Sequence, residues 1–89
     1  FIIQNMKNII IYSTPFCDYC LRAKRLFSKL NIPFTDVDVS IDKTLRDKLI
    51  KKYNWQTVPL IIIDDTCIGG YDDLVKLHST DKLFSMLKG

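Results

Sequence analysis

An 89-residue chain that is 47% hydrophobic and 11% aromatic holds enough apolar matter for one small core and too little length for two. Its net charge of +3 comes mainly from Arg22, Lys24, Arg25 and Lys29 and from Lys43, Arg46, Lys48, Lys51 and Lys52. Both sets alternate with apolar positions as solvated helix faces do, and there is no basic stripe interleaved with aromatics of the kind nucleic-acid binding needs.

Residues 1–6, Phe1 to Met6, lack the charged start and apolar centre of a signal peptide. They read as an N-terminal extension, with Met6 a candidate start, to a single domain over 7–89. Asn8-Ile9-Ile10-Ile11-Tyr12 reads as a short buried strand, Ser13-Thr14-Pro15-Phe16 as a loop, and Asp18 to Leu30 as a helix. In that helix Ala23, Leu26, Phe27 and Leu30 recur at i, i+3, i+4 and i+7, which gives a core-facing stripe. Asn31-Ile32-Pro33 stops it. Phe34 to Val39 alternates apolar and polar residues as a half-covered strand does, and Ser40 or Asp42 is placed to cap a second helix running to about Tyr53, with Leu45, Leu49 and Tyr53 spaced by four. Pro59-Leu60-Ile61-Ile62-Ile63 is a continuous apolar run, followed by an Asp64-Asp65 turn and Thr66-Cys67-Ile68, which together predict a hairpin. A third helix is expected from about Asp72, with Leu74 and Leu77 inward, and a short fourth from about Asp81, with Leu83 and Leu87 inward. This order predicts an α/β domain: a four-stranded mixed sheet, made from a parallel β-α-β unit and an antiparallel hairpin, flanked by helices.

The feature that carries chemistry is Cys17-Asp18-Tyr19-Cys20, two cysteines three apart where the first loop meets the first helix. A thiol at that junction meets the unpaired N–H groups and the positive dipole end of the helix, both of which favour the thiolate. Cys17 is therefore the better nucleophile. Cys20, one turn further along the same helical face, is close enough to displace whatever becomes disulfide-bonded to Cys17. With three cysteines no disulfide framework forms, and a C-x-x-C pair that cycles points to a reducing compartment, the cytoplasm. Cys67 on a strand reads as a small buried hydrophobe and His78 as a half-exposed helix residue. Cys17, Cys20, Cys67 and His78 could be assembled into a zinc site on paper, but the second pair lacks metal-ligand spacing. Tyr53 and Trp55 read as covers for the end of the core, with a secondary place at the rim of a groove.

Two further segments accompany the cysteines. An X-Pro bond costs little to be cis, and a turn at Val58-Pro59 can leave backbone groups available to pair with an extended peptide. Gly69-Gly70 permits backbone conformations closed to other residues, and Asp72-Asp73 opens a helix, where N–H groups bind a carboxylate and an Asp side chain pairs with an ammonium group. Cys17-Asp18-Tyr19-Cys20, Thr57-Val58-Pro59 and Gly69-Gly70-Tyr71-Asp72-Asp73-Leu74 stand in the order and spacing seen in glutaredoxins, and the likeness runs from Asn8 to Lys88. The resemblance implies a thioredoxin-like fold and a glutathione-dependent thiol-disulfide oxidoreductase. It implies that Pro59 is cis, that Cys17 and Cys20 are catalytic, and that Thr14, Tyr19, Thr57, Val58, Pro59, Tyr71, Asp72 and Asp73 bind glutathione. The expected partners are glutathione and disulfide-containing or glutathionylated proteins, with no nucleic acid or membrane, the protein acting as a monomer.

Departures from the family pattern also carry expectations. Many glutaredoxins have a cation at the places of Thr14 and Gln56, near the glycine carboxylate of glutathione; here both are uncharged. Either Lys51 or Lys52 takes over part of that charge, alongside Gln56, or glutathione binds more weakly. Asp18 replaces the commoner proline, and a carboxylate beside Cys17 opposes the thiolate while suiting the first turn of a helix. The expectation is a less acidic Cys17 and a more reducing pair. Glutathione serves as electron donor with no tightly bound cofactor. The alternatives are a [2Fe–2S] cluster held between two subunits through Cys17 and glutathione, a habit of glutaredoxins lacking that proline, and a redoxin served by thioredoxin reductase.

Overall fold

The structure, a computed structural model, describes residues 7–55 and 57–88. The expected N-terminal extension, residues 1–6, and the expected site residue Gln56 lie outside them. The elements follow in the order β1 (Ile9–Ser13), α1 (Asp18–Lys29), β2 (Thr35–Asp38), α2 (Lys43–Tyr53), β3 (Leu60–Ile63), β4 (Thr66–Gly69), α3 (Tyr71–Ser79) and α4 (Leu83–Leu87).

The strands form one sheet in the order β2-β1-β3-β4. β1 runs parallel to β2, with Ile10 opposite Thr35, and antiparallel to β3, with Ile10 opposite Ile62; β4 closes the hairpin with Cys67 opposite Ile62. The unbroken Leu60–Ile63 run makes β3 an interior strand buried on both faces, with all four residues out of water. Alternate residues of β1 and β3 feed two cores. On one face Ile9, Ile11, Ile61 and Ile63 pack with Ala23, Phe27, Leu74, Leu83 and Leu87 from α1, α3 and α4. On the other Leu60 and Ile62 pack with Val39 and with Leu49 from α2.

The helix boundaries follow local chemistry. Asp42, not Ser40, caps α2, its carboxylate accepting from the Leu45 N–H at 2.9 Å. Asn54 ends the helix in the left-handed region at φ 54°. α4 starts two residues later than expected because Asp81 has φ 59°, a conformation no right-handed helix contains. Strand β2 is shorter than the Phe34–Val39 alternation suggests: Phe34 leaves it to pack against Phe27, ring centroids 5.9 Å apart, and Val39 turns into the second core.

One polar tie crosses three elements near the end of β1. Buried Ser13 donates from Oγ to Asp36 on β2, and Lys24 on α1 donates to the other Asp36 oxygen at 2.8 Å. Burial pushes the Asp36 carboxyl up, but the bonds from Lys24 and Ser13 outweigh it and hold it below the usual carboxylate range. This fixes the strand end from which the Cys17 loop departs.

Candidate active site

Cys17 is the N-cap of α1. Its backbone is extended, at φ −120° and ψ 110°, and its Sγ accepts the Cys20 N–H at 3.0 Å. Sulfur is a weak acceptor as a thiol and a strong one as a thiolate, so a donor at a helix end is suited to the charged form of such an atom once a disulfide is reduced. The two sulfurs are joined in a disulfide with Cα atoms 5.2 Å apart, a spacing ordinary for such a bond. The pair is asymmetric: Cys20 is 1% exposed, whereas Cys17 is only partly buried. Only Cys17 offers its sulfur to a visitor.

The Val58–Pro59 peptide is cis, as the resemblance implies. The Val58 carbonyl oxygen lies 3.8 Å from Cys17 Sγ, within reach of a thiol S–H once the disulfide is reduced. From this point a groove of about 260 Å³ runs between Tyr19, Trp55, Thr57, Val58, Pro59, Gly70, Tyr71, Asp72 and Asp73. Tyr19 and Tyr71 form one wall, ring centroids 6.0 Å apart, and the Arg22 guanidinium sits 5.3 Å from the Tyr19 ring centroid. Trp55 also lines the groove, its Nε1 buried without a hydrogen-bond partner among the described residues.

The far end of the groove is the start of α3. Asp73 accepts the Gly70 N–H at 3.0 Å, so its carboxylate is partly committed to capping, while Asp72 is exposed and free to meet a ligand. Gly69 makes this possible. Its φ is +114°, and a Cβ there would run into the Asp73 carboxyl group.

Of the expected site residues, the structure brings Tyr19, Thr57, Val58, Pro59, Tyr71, Asp72 and Asp73 together in the groove. Thr14 does not line the groove; it borders a second depression that Cys17 also lines. Lys51 and Lys52 are exposed on α2 and line neither, the Lys52 ammonium lying 5.2 Å from the Tyr53 ring centroid. Arg46 was missed by sequence reasoning. It lines a cavity of about 50 Å³ that shares Trp55, Thr57 and Val58 with the groove, and its guanidinium donates to the carbonyls of Val39 at 3.0 Å and Ser40 at 2.8 Å. The signal was present: Arg46, Leu49, Ile50 and Tyr53 recur at i, i+3, i+4 and i+7, so this cation shares a face with the buried Leu49.

Cys67 is half-buried beside the second core; burial pushes its thiol up, and the Asp73 charge adds to the effect. A thiol raised in this way is a poor nucleophile. Among the described residues no group of three or more His, Cys, Asp or Glu side chains gathers to hold a metal ion, and no helix is long and apolar enough to cross a membrane.

A dithiol at a helix N-terminus, facing a cis-proline turn on a mixed sheet of this order, defines a thiol oxidoreductase of the thioredoxin fold. The glutaredoxin family model matches residues 9–68. The chain is 39% identical over 83 residues to Glutaredoxin 3 of Escherichia coli K12, covering 93% of this chain and all of that one. Among solved structures it resembles glutaredoxin from Brucella melitensis, at 38% identity and TM-score 0.83 with 94% of this chain and 91% of that one covered. It also resembles a buckwheat glutaredoxin–glutathione complex, at 27% identity and TM-score 0.84 with 97% and 80% covered. The chain belongs to the glutaredoxin family.

Proposed function

We propose that the protein reduces protein–glutathione mixed disulfides and protein disulfides with electrons from glutathione. The observation that carries this reading is the position of Cys17 Sγ, which accepts the Cys20 N–H and lies 3.8 Å from the carbonyl of Val58, a residue that lines a groove together with Asp72 and Asp73.

Glutathione lies along the groove with its cysteine beside Val58 and Pro59, flanked by Thr57, Tyr19 and Tyr71. Its γ-glutamyl ammonium pairs with Asp72, and its α-carboxylate takes the N–H groups at the start of α3, a geometry kept by Asp73. At the glycine end the carboxylate meets Arg46, the cation that borders Thr57 and Val58.

The Cys17 thiolate attacks the glutathione sulfur of a mixed disulfide. The Cys17–S bond forms, the protein leaves as a thiolate that takes a proton, and a second glutathione then attacks the sulfur of the glutathione held on Cys17, so that oxidised glutathione departs and Cys17 is released as a thiolate. With a protein disulfide the substrate stays on Cys17 until Cys20 displaces it, and two glutathione molecules then reduce the Cys17–Cys20 bond. Cys17→Ser is expected to lose both activities. Cys20→Ser is expected to keep the first and lose the second, measured with a glutathione–cysteine mixed disulfide and with a disulfide-bonded protein. Loss of both in Cys20→Ser would refute the glutathione route. A coupled assay comparing glutathione with thioredoxin reductase as electron source separates this reading from a thioredoxin-like one, and visible absorption of anaerobically purified protein separates it from cluster carriage.

A further inference from the structure

Cys17 lies beside a second depression, of about 300 Å³, bounded by Thr14, Pro15, Phe16, Asp18, Leu21 and Lys24. It has no lining residue in common with the groove. The fold leaves Phe16 wholly in water, at 101% exposure, and Leu21 nearly half exposed, at 45%. A phenyl ring left wholly in water beside a reactive sulfur adds nothing to folding, but its area becomes stabilising once a partner covers it. The charge nearby is uneven. Arg22 and Arg25 stand exposed on α1 next to Leu21, Lys24 is neutralised by Asp36, and Asp18 is the acidic member of the rim.

We propose that Phe16 and Leu21 form a docking surface for the disulfide-bearing partner protein, distinct from the glutathione groove. This surface selects a cysteine with an apolar neighbour and acidic residues beyond it. The inference rests on Cys17 being the nucleophile. When its thiolate attacks a partner disulfide, the Cys17–S bond forms, the partner S–S bond breaks, and the other partner sulfur leaves as a thiolate that takes a proton. The partner is then joined to Cys17, and the surface continuous with that bond is the Phe16 side as well as the groove. A small glutathione mixed disulfide reacts from the groove alone. The apolar centre accounts for the preference beside the cysteine, and the arginines on α1 account for the acidic residues beyond it.

The test uses the reduced Cys20→Ser protein, which holds its partner on Cys17, and two peptides of equal length that each contain one disulfide. One peptide has Leu beside the attacked cysteine and Asp further out; the other has Ser and Lys. Mixed-disulfide formation, followed by mass spectrometry, is expected to be about tenfold faster for the first peptide, equivalent to about 1.4 kcal/mol. Adding Phe16→Gln and Leu21→Gln is expected to remove most of that advantage. In protein with Cys20 intact, the same pair of substitutions leaves turnover of a glutathione–cysteine mixed disulfide unchanged. Equal rates for the two peptides, or an advantage that survives both substitutions, overturns the docking surface. Failure of the unsubstituted protein to turn over the small mixed disulfide overturns the glutathione reading instead, and the peptide comparison, which contains no glutathione, still decides the docking surface.

Discussion

The two faces of the sheet are packed to different depths. Among the described residues, the face covered by α1, α3 and α4 has ten buried side chains, including Phe27 and Leu74, whereas the face covered by α2 has four. Cys17, the proposed nucleophile, caps the deeply packed helix α1, and the Arg46 cation sits on the lightly packed α2. Attack on a disulfide needs a sulfur held in place, which α1 supplies through Ala23 and Phe27. Under the proposed function, holding the glycine end of glutathione needs only a charge within reach, a place that Arg46 on α2 would fill with Leu49 as the helix's buried anchor.

The largest expected effect tests the deep face. Phe27→Ala should cost about 3–5 kcal/mol in urea unfolding, the range for removing a buried aromatic ring. Leu49→Ala, at 9% exposure, should cost about 2–3 kcal/mol. It should raise the KM for a glutathionylated substrate while leaving the Cys17 thiol titration unchanged. If Leu49→Ala costs as much as Phe27→Ala, the two faces are equivalent and the contrast fails.

Gly69→Ala sharpens the contrast at the groove. The substitution strains a backbone at φ +114° and displaces the Asp73 carboxylate from the Gly70 N–H, for an expected loss of about 1–3 kcal/mol. The KM should rise with it; an unchanged KM would show that Asp73 plays no part in holding glutathione.

The smallest effect concerns the tie between α1 and the edge strand. Because the folded-state pKa of Asp36 lies below its ordinary value, its contribution is present above the unfolded carboxylate range and is lost as the pH falls through the folded value. With the Asp36 side chain 40% exposed, solvent screening limits Asp36→Asn to about 0.5 kcal/mol at neutral pH. The difference from the unsubstituted protein should vanish in acid, and a difference that persists there would mean the bond acts through packing rather than charge.

Elements with a local period were readable in the sequence. The α1 stripe, the unbroken β3 run and the Asp64-Asp65 turn each declare themselves within a few residues, and the cysteine spacing places the nucleophile. What depends on contacts between elements was not readable. Arg46 looked like one more member of a solvated basic face until α2 was set against Val39 and Trp55. Thr14 adjoins the cysteine motif in sequence, yet it borders a second depression beside Cys17 and does not line the groove. The bond from Lys24 to Asp36 joins residues twelve apart, a pairing no helical or strand period announces.

The hydrogen bond from the Cys20 N–H to Cys17 Sγ makes the reacting atom part of the helix it starts. Each change in the charge or bonding of that sulfur alters the acceptor seen by one main-chain amide. The Cys20 proton is thus a built-in spectroscopic reporter: its NMR shift and its exchange with solvent should distinguish thiolate, thiol and disulfide without any label, and they can be followed while substrate is consumed.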